Sequence, residues 1–241
     1  MRTSFPVLVP AAVAFLAMSP TLRLSAQGDP DRVVAGGGAI PPGWHVRTEL
    51  DRQTGQPAAL TNVKFAAMGD GYHVTVGPAA IYWRDADMAS GSYHVVAAIT
   101  QTKNPAHPEA YGIFIGGRNL ADSTQSYTYF IVRAIDGKFM IRRRAGYAAR
   151  PTNVVDWTDH AAVVKADSTG KATNELSILV QGGTVRFMVN GKEVYSGKAA
   201  DLDTQGVVGF GSTITSTCIS ARSGFTNCET WRGQAGSRRE E

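Results

Sequence analysis

The sequence predicts an all-β protein in which two antiparallel sheets stack as a sandwich. Short apolar or alternating runs follow one another along the 241 residues, and turn residues separate them at intervals of roughly 8 to 12 positions. The dipeptides Asp136-Gly137 and Asn190-Gly191 tolerate positive φ and are typical of tight hairpins. Long amphipathic helical periods and internal repeats are absent from the sequence, which favours a sandwich or a barrel.

The segment 110–144 carries the clearest part of this pattern. Strand-like runs at 111–115, 126–135 and 138–144 predict an antiparallel meander, with an Asp-Gly turn between the last two runs. Because successive side chains of a strand point to opposite faces, we expect one face of the meander to line the core. The other face would then carry tyrosines and arginines toward solvent.

Further strands are predicted on both sides of the meander. Val185, Phe187 and Val189 share one parity and are expected in the core. The segment 145–160 has no sustained period and is predicted to be a long connection, whereas alanine-rich 161–165 fits a strand or a helix, with the strand favoured. The remaining predicted strands are 44–50, 63–68, 72–76, 80–83, 92–101, 175–180, 185–189, 192–195, 207–211 and 218–225.

The first 26 residues have the layout of a secretory signal peptide. Arg2 precedes an apolar run, and small residues end at Ala26, before the sequence turns polar. Prolines in the run argue against the alternative of a buried N-terminal helix, and the run is too short for a convincing membrane span. We therefore expect a secreted or periplasmic protein with a signal peptide at 1–26, a flexible leader at 27–43, a folded domain at 44–228 and a disordered tail at 229–241.

Charge and cysteine content narrow the classes of partner. The formal net charge is +4, and the predicted signal peptide removes Arg2 and Arg23, so the exported chain is nearly balanced. This balance weakens the electrostatic case for nucleic acid. Cys218 and Cys228 are the two cysteines, and export favours a disulfide between them over a pair of reduced thiols. Their spacing matches no zinc motif.

Several hairpin motifs resemble the concanavalin A-like lectin and glucanase superfamily. The likeness extends to laminin-G-like domains and to bacterial proteins grouped with the 3-keto-disaccharide hydrolases. It implies a two-sheet jelly roll over roughly residues 44–225, with one curved sheet whose concave face can bind a sugar chain. The motifs that carry it are Tyr111-Gly112-x-x-x-Gly116-Gly117, Tyr127-Thr128-Tyr129-Phe130 and Val185-Arg186-Phe187-x-Val189-Asn190-Gly191-Lys192.

The chain departs from the catalytic members of that superfamily in its acidic residues. Glucanases resemble one another in an E-x-D-x-E or E-x-D-x-x-E strand, and retaining hydrolysis needs two carboxyl groups about 5 Å apart. The sequence has no such motif, so no catalytic residue is assigned and the question of an enzyme stays open. Asp85 and Asp87 form the nearest local pair and fit a solvated turn at a strand end; a structural calcium ion is the alternative there.

Aromatic and basic residues form the predicted binding site. Sugar rings stack their C–H faces on aromatic side chains, and their hydroxyls accept hydrogen bonds from arginine and asparagine. The alternative for any single ring is a place in the core. Arg142, Arg143 and Arg144 are expected to be split by strand alternation and to form a solvated face or a protected edge. The predicted ligand-binding residues are Tyr82, Trp83, Arg118, Asn119, Tyr127, Tyr129 and Arg133.

Three functions follow from this sequence-based interpretation. The first is a non-catalytic, lectin-like domain that binds carbohydrate through the concave sheet. The second is a hydrolase acting on glycans or keto-disaccharides, which the resemblance permits. The third is an interaction domain of the laminin-G kind, whose partner would be an envelope or extracellular protein.

Overall fold

The computed structural model describes residues 34–51, 54–105, 107–212 and the backbone of 213 and 222–227, and it confirms the all-β prediction. Regular structure in these residues is antiparallel strand apart from two single-turn 3₁₀ helices, Leu60–Asn62 and Ala199–Asp201. The strands are β1 (His45–Thr48), β2 (Val63–Met68), β3 (Gly71–Val76), β4 (Ala80–Ala89), β5 (Tyr93–Gln101), β6 (Ala110–Arg118), β7 (Ser126–Arg133), β8 (Lys138–Ala145), β9 (Thr152–Asp159), β10 (Ala172–Gln181), β11 (Thr184–Val189), β12 (Lys192–Lys198), β13 (Gly206–Thr213) and β14 (Arg222–Asn227).

The strands form two large sheets and one hairpin. The seven-stranded sheet has the order β1-β4-β13-β6-β7-β8-β9, and the five-stranded sheet has the order β12-β11-β10-β5-β14. Strands β2 and β3 pair with each other. Strand β13 returns late in the chain to lie between β4 and β6, so the centre of the large sheet depends on contacts between distant parts of the sequence.

The main core lies between the two large sheets. Val185, Phe187 and Val189 are fully buried, as their shared parity predicts. The Phe187 ring meets that of Phe130, on β7 of the opposite sheet, with 5.4 Å between ring centroids. Burying each such side chain contributes about 1.5–3 kcal/mol, so this layer supplies much of the stability of the sandwich.

The segment 161–165 is not a strand, contrary to the prediction. Its backbone forms a turn instead, in which the N–H of Val163 donates to the carbonyl of His160 at 3.0 Å. The amide of Asn190 donates to the Ala162 carbonyl at 2.8 Å, and Asn174 bonds both the N–H and the carbonyl of Val164. Side-chain amides thus satisfy a backbone that has no neighbouring strand.

The predicted connection at 145–160 was wrong in its second half, because Thr152–Asp159 forms the edge strand β9. Its register against β8 shifts on both sides of Ile141. Val154 and Val155, adjacent in sequence, both pack against the core. These bulges interrupt the alternation of inward and outward side chains, so the sequence of β9 lacks the period of two that is typical of a strand.

Other predictions concern the ends of the chain. Within the predicted leader, Gly38 donates its N–H to the Val63 carbonyl at 2.8 Å, and Ile40 packs against the core. The signal peptide 1–26, the Cys218–Cys228 disulfide and the tail 229–241 lie outside the described residues and stay predictions. Within the described ranges, no helix has the length and apolar character that a bilayer crossing requires.

Candidate functional site

The outer face of the seven-stranded sheet, here called the pocket face, carries alternate side chains of β4, β6, β7 and β8. Strand register brings them together: Phe114 lies opposite Tyr129, and Tyr129 lies opposite Arg142. Tyr127 likewise lies opposite Arg144. The pocket face includes Ile81, Trp83, Phe114, Tyr127, Tyr129, Ile131, Arg133, Met140, Arg142 and Arg144.

A pocket of about 360 Å³ opens in the middle of the pocket face. This volume lies in the usual range for small-molecule sites. The ring of Phe114 crosses β13 at Gly209, where an added Cβ would lie 2.6 Å from the ring carbon Cζ. The absence of a side chain at Gly209 therefore lets the ring pack directly against the backbone of β13. Other lining residues are Glu49, Ile81, Tyr127, Tyr129, Ile131, Arg142, Arg144, Pro151 and Ser212.

Arg144 is the firmly held cation of the pocket, with a side chain that is 9% exposed. Its Nη1 donates to the Tyr147 carbonyl at 2.8 Å, and its Nη2 donates to Oε1 of Glu49 at 2.7 Å. The Tyr147 hydroxyl in turn donates to the carbonyl of Thr48. These bonds join the β8–β9 connection to the end of β1 and fix one wall of the pocket.

Burial dominates the electrostatics of the acidic and phenolic groups here. It raises the pKa of Glu49 above the ordinary carboxyl value, and the opposing effect of Arg144 does not cancel the rise. Burial also raises the pKa of Tyr127 and of Tyr129. Both phenols therefore stay protonated at neutral pH and can donate hydrogen bonds to a ligand.

Arg142 is held less firmly than Arg144. Its Nη2 lies 3.7 Å from Oδ1 of Asp156, which is beyond hydrogen-bonding distance, and the Asp156 side chain is 69% exposed. Its Nε is buried and has no hydrogen-bond partner in the described part of the chain. The guanidinium lies beside Tyr129, whose pKa it lowers in opposition to burial.

Arg47 ties a loop across one end of the pocket face. Its guanidinium carbon lies 3.7 Å from the centroid of the Tyr147 ring, a cation–π contact. Its Nη1 donates to the carbonyls of Leu120 and Asp122 at 3.2 and 2.7 Å. Leu120 packs in one cluster with buried Trp83. This end of the face is thereby covered, whereas the middle stays open.

Solved structures with the same arrangement of sheets are found at low sequence identity. The carbohydrate-binding module CBM66 from Bacillus subtilis superposes with a TM-score of 0.50 and 12% identity, over 77% of this chain and 96% of the module. A GH16 protein of a mixed-linkage glucan locus of Bacteroides ovatus, solved with a product, gives 0.53 and 7%, over 78% and 95%. A family 16 endo-glucanase from Bacteroides ovatus gives 0.52 and 8%, over 78% and 96%.

The fold is a concanavalin A-like jelly roll. The structural likenesses cover nearly the whole of each compared chain, and they confirm the fold that the hairpin motifs resemble. At these identities they show the fold alone. Neither a protein-family model nor a curated protein sequence matches the chain.

The jelly roll places the two predicted tyrosines of β7 in the pocket. Tyr127 is almost fully buried and Tyr129 is half-buried, with 5.8 Å between their ring centroids. Trp83 lies on the same face but beneath the loop held by Arg47, where it is 4% exposed. It also borders a smaller pocket of about 240 Å³ that includes Asn119.

Tyr82 is a correction to the predicted site. It lies on the inner face of β4, is fully buried between the sheets and stacks on Phe210 with 4.8 Å between centroids. Tyr82 and Trp83 are adjacent in a strand, so they must point to opposite faces of the jelly roll. Tyr82 therefore has no surface to offer a ligand.

The other predicted residues lie away from the pocket. Arg133 is on the pocket face at the far end of β7, where it pairs with Asp136 and stacks on Trp157 at 4.2 Å. Arg118, the last residue of β6, donates to the carbonyl of Gln205 at 3.2 Å, and Asn119 adopts positive φ in the covering loop. The structure thus brings together Tyr127 and Tyr129 but not these three side chains.

The predicted turn at Asp85 and Asp87 lies inside β4 of the jelly roll. Asp87 accepts two hydrogen bonds from Arg84, and Asp85 lies 3.1 Å from the ring nitrogen of His45. In the described ranges, no group of three side chains that could hold a metal ion is gathered there or elsewhere.

Glu49, Arg142 and Arg144 are pocket residues that the sequence interpretation missed. The two arginines were assigned to a solvated face or edge, yet they face the tyrosines across the β7–β8 hairpin. The sequence did contain a signal that places these arginines opposite the tyrosines. A hairpin loop of either two or four residues around Asp136-Gly137 pairs odd-numbered residues of β7 with even-numbered residues of β8. Glu49 carries no comparable signal, since it lies 95 residues from its partner.

Proposed function

We propose that this chain is a non-catalytic carbohydrate-binding domain whose site is the pocket on the pocket face. The observation that carries the proposal is the pocket itself, in which a half-buried Tyr129 ring lies beside arginine donors on an outer sheet face. Such a surface suits a sugar, because the ring takes the apolar C–H face while charged and phenolic donors bind the hydroxyls.

The acidic residues favour binding over hydrolysis. Glu49 is the carboxyl group that lines the pocket among the described residues, and it is engaged by Arg144 at 2.7 Å. Glycoside hydrolysis of the common kind uses two carboxyl groups that flank the scissile bond. The tyrosines, with raised pKa values, are poor substitutes for a missing base.

The likeness to a carbohydrate-binding module supports this proposal, since that module has the same jelly roll. The likeness to two glucanases keeps hydrolysis as the competing function to be tested.

We also propose that the chain is exported after removal of residues 1–26. N-terminal sequencing of the mature protein tests this, with Gln27 as the expected first residue.

The test is a glycan array followed by calorimetry with the best oligosaccharide. Tyr129→Ala should weaken binding by about tenfold or more, because the stacking surface is lost. Tyr195→Ala is the matched control, since Tyr195 is a partly buried ring that packs on Phe187 in the other sheet. Equal affinities for the two variants, or an array without bound glycans, would contradict the proposal. Release of reducing sugar that Glu49→Gln abolishes would establish a hydrolase instead.

A further inference from the structure

The pocket contains more positive charge than its own acid can neutralise. Arg142, Arg144 and Glu49 line it, and Glu49 is paired with Arg144 through a 2.7 Å hydrogen bond. Arg144 also donates to the carbonyl oxygen of Tyr147, so both of its terminal nitrogens are paired, although its buried Nε has no partner in the described residues. Arg142 is the pocket cation with the weaker pairing, a 3.7 Å contact to Asp156.

Arg142 is under-bonded for a guanidinium in an apolar setting. Its buried Nε has no partner in the residues that the structure describes, and Oδ1 of its nearest paired acid, Asp156, is 3.7 Å away. Asp156 is mostly exposed, so water and salt screen this contact. The Arg142 side chain is 29% exposed and lines the pocket, so an incoming anionic acceptor can pair with its terminal N–H groups.

The surroundings of Arg142 strengthen its attraction for an anion. Phe114, Ile131 and the two tyrosine rings form the nearby pocket wall. Electrostatic interactions are stronger beside such low-dielectric walls than in water. A planar guanidinium can also donate two parallel N–H hydrogen bonds to two oxygens of one anionic group. A neutral hydroxyl presents a single oxygen and cannot form this paired contact.

We infer that the pocket selects an acidic sugar, whose anionic group binds Arg142 while its ring stacks on Tyr129. This inference rests on the proposed carbohydrate-binding function and specifies its ligand class. Carboxylate and sulfate groups share the required chemistry, because each presents several acceptor oxygens to the guanidinium. The pocket volume of about 360 Å³ accommodates a small ligand, which fits a short acidic segment.

The experiment compares three oligosaccharides of equal length by calorimetry: a neutral one, one built from uronic acids, and one that is sulfated. An acidic oligosaccharide should bind about tenfold or more tightly than the neutral one, as expected for one charged hydrogen-bonded contact. Raising sodium chloride from about 50 mM to about 500 mM should reduce this preference. The uronate and sulfate arms identify which anion the pocket prefers.

Variants assign the preference to Arg142. Arg142→Met should weaken binding of the acidic ligand much more than binding of the neutral one and so remove the preference, and Arg142→Lys should retain part of the preference because the charge remains. Arg186→Met is the matched control, because Arg186 is an exposed arginine of the five-stranded sheet with an equally loose 3.7 Å contact to Glu193. Thermal unfolding of each variant confirms that it is folded.

The outcomes separate the inference from the function on which it rests. Neutral binding as tight as acidic binding, still lost in Tyr129→Ala, would overturn the inference and leave the carbohydrate-binding function standing. An acidic preference that survives in Arg142→Met would also overturn the inference. Absence of binding to all three ligands would overturn both.

Discussion

The outer faces of the two large sheets differ in burial and polarity. On the five-stranded sheet, β10 and β11 alternate over most of their length: Thr173, Glu175 and Arg186 are exposed, while Leu176 and Phe187 between the sheets are fully buried. This is the usual pattern of an antiparallel sheet with one face in water.

The centre of the seven-stranded sheet is buried on both faces. Every residue of β6 from Ala110 to Gly117 is buried, and Tyr127 and Ile131 on the outer face of β7 are nearly as inaccessible as Phe130 on the inner face. The outer face is protected by loops, including the one that Arg47 holds. Where this cover is incomplete, the pocket remains.

The difference teaches where to look for a site in a sandwich. A sheet that repeats apolar residues on both faces needs a second cover, which consists of loops when no further sheet is present. A gap in that cover exposes rings and apolar side chains that are already held in place by the strands. The failure of alternation on one sheet therefore marks the candidate site.

The largest expected effect tests whether the outer face of the seven-stranded sheet is a genuine second core. Phe114→Ala should lower the free energy of unfolding by about 3–5 kcal/mol, as for a buried phenylalanine, because its ring is 1% exposed. Urea denaturation measures the change, and Phe130→Ala, between the sheets, is the reference. A loss below about 0.5 kcal/mol would show that the outer face is ordinary surface.

A smaller, pH-dependent effect tests whether burial beside the start of β6 disfavours the ionised form of a carboxyl group. Glu109, just before β6, has two buried carboxylate oxygens with no hydrogen-bond partner in the described chain, and burial raises its pKa to about 8. The unfolded chain loses this proton near pH 4.5, whereas the folded chain holds it up to about pH 8. The free energy of unfolding should therefore fall as pH rises through this window, by up to about 1.4 kcal/mol per pH unit.

Glu109→Gln provides the comparison for that measurement. The variant cannot ionise at this position, so its free energy of unfolding should fall less steeply between these pH values. Denaturation curves at a series of pH values give both slopes. Parallel slopes for the two proteins would show that Glu109 is not linked to folding.

The smallest expected effect lies on the polar outer face of the five-stranded sheet. Thr173 is exposed, and its hydroxyl lies 2.8 Å from that of Thr100 on the neighbouring strand. Thr173→Ala should cost about 0.2–1 kcal/mol, the usual size of a cross-strand pair, and should leave carbohydrate affinity unchanged. A change in affinity would place a second binding surface on this sheet.

Much of the fold could be predicted because hairpins and alternation are local signals. Asn190-Gly191 forms its expected turn with Asn190 at positive φ, and Val185, Phe187 and Val189 face the core. Strand β9 escaped prediction because bulges break its period, and 161–165 was misassigned because side chains of distant asparagines hold it.

The site was harder to predict because it depends on which face of each strand is covered. Tyr82 and Trp83 are both large and apolar, and the sequence of β4 does not reveal which of them points between the sheets. The role of Glu49 follows from its contact with Arg144, which forms only after the chain has folded. Local patterns cannot encode that contact.

Side-chain alternation along β8 assigns core packing and pocket lining to different residues of one strand. Phe139 and Ile141 secure the interior, while Met140, Arg142 and Arg144 project to the opposite side. Randomising codon 142 alone would therefore sample new ligand preferences without disturbing the layer that keeps the protein folded. Such a strand is a convenient starting point for engineering receptors with altered selectivity.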